Sequence, residues 1–243
     1  MDRIIKITLG LFLIILVVFV TIGSYSLITG YAYRSSLLST YTYSCSVTAD
    51  TPLTNVTLFL PLPVDPSGNS PVVEKIGKYE ISGIPVDWNL DLYGNGPATF
   101  LKITTAGIGD PSGTPAGPAN VTFSVKVKSP YLIDTANPLA NDLVFRPVEN
   151  TYQAECPVIP NATYTPSCTG YTTTLYAQYD TSPSGTVTIH ADLDAVNTWS
   201  IFHPDFNEYR NSLDAALTGN NSGWVPASAW IESGIGSYDT PSL

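Results

Sequence analysis

Beyond residue 40 the chain alternates apolar and polar residues with period two, in short runs separated by turn residues. Val121, Phe123, Val125 and Val127 alternate with Thr122, Ser124, Lys126 and Lys128. Val86, Trp88, Leu90 and Leu92 alternate with Asp87, Asn89 and Asp91. Tyr171, Thr173, Leu175, Ala177 and Tyr179 form a third run, and Val187, Ile189, Ala191 and Leu193 a fourth. Successive side chains of a strand point to opposite faces, so each run predicts a strand with one buried and one wet face. Further strands are expected over 41–48, 55–60, 99–105 and 142–146. Between the runs stand "DPSGNSP", "YGNGP", "GDPSGTPAGPAN" and "TSPSG", all of turn composition. The predicted fold is all-β, an antiparallel β-sandwich. No strand–helix alternation suggests a parallel nucleotide-binding sheet.

Residues 207–218 fit two periods. Leu213, Ala216 and Leu217 suit a helical turn, whereas Tyr209, Leu213, Ala215 and Leu217 suit a strand with one polar interruption. A strand or irregular segment is the preferred reading. A boundary could divide the body near 147–166, where prolines gather, but one body over 34–243 is favoured.

The first 33 residues follow a different pattern. Arg3 and Lys6 precede 27 uncharged residues, 7–33, centred on "LGLFLIILVVFV". This core is apolar all round, unlike an amphipathic surface helix. It is long enough to span a bilayer, and longer than the 7–15 apolar residues of a secretory signal. A membrane anchor over 1–33 is the expectation, with the basic end cytoplasmic. Gly30-Tyr31-Ala32 offers an alternative, cleavage as a signal segment. Either way the body is exported.

Composition narrows the function classes. Only 12% of residues are charged, and the net charge is −10. The few basic residues form no patch, which excludes the electrostatic footprint of a nucleic-acid binder. Twenty prolines and eighteen glycines agree with many short strands and turns.

Export gives meaning to the cysteines and to four N-x-S/T sequons. The acceptors are Asn55, Asn120, Asn161 and Asn220, none followed by proline. Cys156 and Cys168 bracket "PVIPNATYTPS". No C-x-x-C and no nearby histidine favours a zinc site, so a disulfide closing the loop is expected. Cys45 remains, on the apolar face of the 41–48 run, as a buried free thiol or an intermolecular bridge.

Four further stretches are "NVTLFLPLPV" at 55–64, "DTANPL" at 134–139, "NTWS" at 197–200 and "SGWVPASAWIESGIGSY" at 222–238. In these the chain resembles an uncharacterised family of surface proteins in methanogenic archaea. The resemblance implies one N-terminal membrane segment followed by a β-rich exterior. It implies no activity and no catalytic residues, and the cysteine pair is not part of the family pattern.

Candidate chemistry is sparse. There is no G-x-S-x-G, no H-E-x-x-H and no phosphate-binding glycine loop. His190, Asp192 and Asp194 alternate on one strand face, and His203 and Asp205 follow. A hairpin could gather these five around a divalent cation such as calcium. The simpler reading is a solvated polar face, and an Asp192–Asp194 carboxylate pair for glycoside chemistry is a third. Trp199, Phe202, Phe206, Trp224 and Trp230 are expected as core of the C-terminal layer; exposed, they would form a platform for carbohydrate or a partner.

The expected role is structural or interactive at the cell surface, without catalysis and without a resident cofactor. The partners are membrane lipid through the N-terminal helix, and further copies or other surface proteins. One alternative is a filament subunit whose segment 33–48 inserts into a neighbour's sheet after signal cleavage. Another is a carbohydrate-binding or hydrolytic surface module.

Overall fold

The period-two runs become eleven strands of an antiparallel sheet in the computed structural model, which describes residues 3–95, 98–109, 118–157 and 164–238. In chain order the elements are α1 (Arg3–Ser36), β1 (Leu38–Ala49), β2 (Leu53–Val64), α2 (Pro71–Gly77), β3 (Asn89–Asn95) and β4 (Ala98–Ile108). Then follow β5 (Ala119–Lys128), α3 (Pro138–Asn141), β6 (Val144–Phe145), β7 (Glu149–Ala154), β8 (Ser167–Asp180), β9 (Thr186–Ser200), β10 (Pro204–Thr218) and β11 (Asn221–Gly236).

The sheet runs β3-β4-β2-β8-β11-β10-β9-β1-β5, with β6 on β2 and β7 on β8. It curls into a half-barrel whose flanks enclose the core as sandwich layers would. Because β1 pairs with β9 and β2 with β8, strands from before and after residues 147–166 share one sheet. β1, the strand a filament would exchange, is here paired on both sides by its own chain, with β9 and with β5.

One parity of most strands faces the concave side. Tyr41, Tyr43, Cys45 and Val47 of β1 meet Leu58, Leu60 and Leu62 of β2, Tyr171 and Leu175 of β8, and Val187, Ile189 and Leu193 of β9 in one buried cluster. Burial of such apolar area, at roughly 25 cal/mol per Å², holds the curl together. Cys45 is free and buried, and burial pushes its thiol up to about 12.

Two short helices escaped the period-two reading. In "DPSGNSP" the last serine caps α2: Ser70 Oγ accepts from the N–H groups of Val72 (3.2 Å) and Val73 (3.4 Å), with Pro71 at the first helical position. α2 buries Val72 and Ile76 and packs against β2 and β5, across the opening of the half-barrel. The chain then bridges Ser82 to Ser124. Gly83, at φ +88°, passes so close that a Cβ would lie 2.3 Å from the Thr122 carbonyl oxygen, so only glycine fits.

The run at 86–92 forms less strand than its alternation predicts. β3 begins at Asn89, after a turn in which Trp88 N–H donates to the Pro85 carbonyl (3.2 Å). Trp88 is buried, Val86 and Leu92 are exposed, and β3 is an edge strand with one neighbour to pack against.

Between β5 and β7 the chain crosses the concave side, and only Val144 and Phe145 find strand partners there. Inward-pointing polar side chains satisfy the rest. Asn197 Oδ1 accepts from Ser39 Oγ (2.6 Å) and Ile133 N–H (3.2 Å), while its Nδ2 donates to the Ile133 carbonyl (2.9 Å) and Asn207 Oδ1 (2.8 Å). Asn211 Oδ1 accepts from Phe145 N–H (3.0 Å) and Tyr171 O–H (3.0 Å), and its Nδ2 donates to the Trp230 carbonyl (3.0 Å). Asp142 accepts from Tyr41 O–H (2.5 Å), Leu143 N–H (2.7 Å) and Asp134 N–H (2.8 Å). Burial pushes its carboxyl above the usual range, against the pull of those donors. Residues 207–218 are thus strand, and the polar interruption, Asn211, is a fully buried anchor for the crossing segment.

Candidate functional site

The strand registers give the body two ends. α1 runs directly into the start of β1, beside the end of β9 and the start of β10, since Leu38 pairs with Thr198 and Ser200 with Pro204. The opposite end lies eleven residue steps along β1, roughly 35 Å away at the usual rise. Asn55, at the start of β2, donates from Nδ2 to Asp180 (2.8 Å). Asn220, between β10 and β11, accepts from Thr181 N–H (2.8 Å). Asn120 pairs with Thr48 near the end of β1. All three acceptors are exposed at the end far from α1. Asn55 sits at φ +54° beside a bulge, a conformation asparagine tolerates better than most residues. Asn161 lies outside the described residues.

Cys156 and Cys168 are joined by a disulfide, Cα–Cα 5.3 Å, which ties the exit of β7 to the start of β8. α1 carries a stretch, Ile7–Ser36, long and apolar enough to cross a membrane, and its apolar window is not buried against the body.

The five metal candidates do not converge. His190 lies between Asp214 (Nδ1···Oδ1, 2.7 Å) and Asp192 (Nε2···Oδ2, 2.7 Å), and Asp192 also accepts from Ser212 Oγ (2.6 Å). Asp194 stands 3.8 Å from Arg210. His203 and Asp205 sit at the other end of the β9–β10 hairpin, about ten strand residues or roughly 33 Å from His190. The alternative of a gathering by a hairpin does not occur, because the register places Asp214 opposite His190. No group of three or more His, Cys, Asp or Glu able to hold a metal occurs among the described residues. His190, Asp192 and Asp194 occupy the wet face of the sheet.

Burial lowers the His190 pKa and its Asp214 and Asp192 partners raise it; the partners win. A raised histidine pKa adds stability that is fully present below the ordinary value and is lost as pH rises through the folded one. The side chain is 43% exposed, so the contribution is at most about 1 kcal/mol. His190→Gln should therefore flatten the decline in stability across that window in urea titrations at stepped pH. An unchanged pH profile would mean the ion pairs contribute nothing.

The expectation of an aromatic core in the C-terminal layer holds for Trp199 alone. Phe202, Phe206 and Trp224 are exposed, and Trp230 is half-buried. Trp224 and Trp230 occupy the outward parity of β11, opposite the buried Ala227, Ala229 and Ile231. Trp224 joins a cluster that the sequence reading missed. Phe59 of β2 meets Tyr93 of β3 (5.1 Å between ring centroids), Tyr176 of β8 (5.2 Å) and Trp224 (6.0 Å), all tilted or edge-on. The ammonium of Lys102 lies 5.9 Å from the Phe59 ring centre. With Thr57, Thr104 and Gln178 at the margin, these rings line an open groove of about 400 Å³ on the outer face. Phe59 and Tyr176 fall on the polar parity of apolar runs, and that misplaced parity was the available signal.

No family model, curated protein or solved structure matches the chain.

Proposed function

We propose that the chain is a membrane-anchored, exported surface protein with an interaction role in the cell envelope. The observation that carries this reading is the polarity of the molecule. An apolar helix long enough to span leaves from one end, and three exposed glycosylation acceptors crown the other. Glycans there would project away from the bilayer and keep a weakly charged surface soluble. The resemblance to methanogen surface proteins is to the same plan.

The test is topological. Ser182→Cys, exposed at the far end, should react with a membrane-impermeant maleimide on intact cells. An N-terminal epitope should stay protected until the cells are opened. The intact mass should exceed 26.1 kDa by glycan increments, one of which is lost with each of Asn55→Gln, Asn120→Gln and Asn220→Gln. A Ser182→Cys label that appears only after lysis would refute export.

The aromatic groove favours a second reading, a carbohydrate-binding surface module. Ring faces can stack on sugar C–H groups while Lys102, Gln178 and the threonines meet hydroxyls. Oligosaccharides released from the envelope should perturb tryptophan fluorescence, and Trp224→Ala should weaken binding about tenfold, the scale of an interface anchor. Affinity unchanged by Trp224→Ala would remove the groove from consideration.

A further inference from the structure

The tip of the β9–β10 hairpin does not stop where α1 meets the sheet. Ser36 Oγ bonds the backbone of Ser200 in both senses, donating to its carbonyl (3.0 Å) and accepting from its N–H (2.9 Å). Tyr33 packs edge-on against Trp199 (5.6 Å). The hairpin then continues alongside the helix until Phe202 stacks on Tyr25, with centroids 6.2 Å apart and planes 22° apart. Tyr25 lies eleven residues before Ser36, about 16 Å down the helix axis. The tip therefore overhangs the span. Phe202 nonetheless remains 73% exposed, and Tyr25 against it is exposed as well.

Depth along α1 identifies what covers these rings. A hydrocarbon core of ~30 Å takes about twenty helical residues, and about twenty residues counted from Ile7 end near Ser26. Tyr25 thus falls at the boundary between acyl chains and headgroups, where aromatic side chains concentrate. Arg34, the first charge after the apolar run, lies about 13 Å further out, past a headgroup layer of roughly 5–8 Å and in water. A phenylalanine held at the depth of Tyr25 is held at the depth of the lipid boundary.

We propose that the β9–β10 hairpin tip, led by Phe202, is a lipid-contacting finger that enters the bilayer interface beside α1. It gives the body a second attachment point, so that the sheet stands at a fixed tilt over the membrane. The finger rests on the anchor reading, and its test separates the two.

The full chain is reconstituted in vesicles of phosphatidylcholine and phosphatidylglycerol, with an environment-sensitive fluorophore on one introduced cysteine at a time. The positions are Phe202→Cys at the tip, Ser182→Cys at the far end and Leu16→Cys within α1. The Leu16 label should be quenched by nitroxide placed near the acyl-chain end. The Phe202 label should shift to the blue and be quenched by nitroxide near the headgroup, and the Ser182 label should show neither. A label on His203→Cys should also shift to the blue, and adding Phe202→Ser to that variant should return it to the emission of a water-exposed site. A quenched Leu16 label with a water-exposed Phe202 label would overturn the finger and leave the anchor standing. If the Leu16 label is also unquenched, the anchor fails first and the finger with it.

Discussion

Asn211→Leu should lower the unfolding free energy by about 3–5 kcal/mol, although leucine matches asparagine in branching and heavy-atom count and is the more apolar residue. The reason lies in three partners. Phe145 N–H and Tyr171 O–H bond this one amide in the buried core, and the Trp230 carbonyl bonds it at a half-buried position. Leucine strands them together, and each unsatisfied buried group costs roughly 1–3 kcal/mol. Phe145 N–H belongs to the crossing segment, so the loss should loosen β6 from the sheet as well as weaken the core. Urea denaturation followed by tyrosine and tryptophan fluorescence reads the midpoint, and hydrogen exchange at Phe145 reads the local release. A change below about 1 kcal/mol, in the range of ordinary surface substitutions, would show that the amide does not anchor the segment.

Removing the disulfide with Cys156→Ala and Cys168→Ala together should cost roughly 3 kcal/mol, the loop-closure contribution for a ring of this size. The local consequence should be larger than the global one. β7 is almost wholly exposed, pairs only with the first part of β8, and has a register shift between Glu149 and Tyr152. The Tyr152 ring lies over Gly170, where a Cβ would come within 2.2 Å of the ring. Without the bond, amides at Tyr152, Gln153 and Ala154 should exchange well before those of β9 or β10. Protection at β7 equal to that of the central strands, in the double variant, would contradict the idea that the bond holds β7 in place.

Much of this molecule was legible along the chain, and the exceptions share a cause. Alternation located β1, β2, β4, β5, β8 and β9 because a strand buried on one face repeats every second residue. β10 was harder to read because the rule takes a polar residue at an inward position as a break. Asn211 is inward and polar because a backbone crosses there and requires a partner. The outer-face aromatics were misjudged for the opposite reason. An aromatic residue near other apolar residues reads as core, yet Trp224 lies on the parity that points outward, beside rings from β2, β3 and β8 that are distant in sequence. The metal constellation failed on register: alternation put His190, Asp192 and Asp194 on one face, but only strand pairing could show that Asp214, and not His203, lies opposite.

By itself the sequence determined the long apolar helix, the all-β class, the facing of most strands and the cysteine pair, because each depends on local periodicity or on residue chemistry. The tertiary structure decided that the strands join in one curled sheet, and that three sequons scattered from residue 55 to residue 220 meet at one end of it. It also decided that the β9–β10 tip lies against the helix, with Phe202 stacked on Tyr25. These depend on which distant strands pair and in what register, and that choice is made by fitting buried side chains from the whole chain into one core.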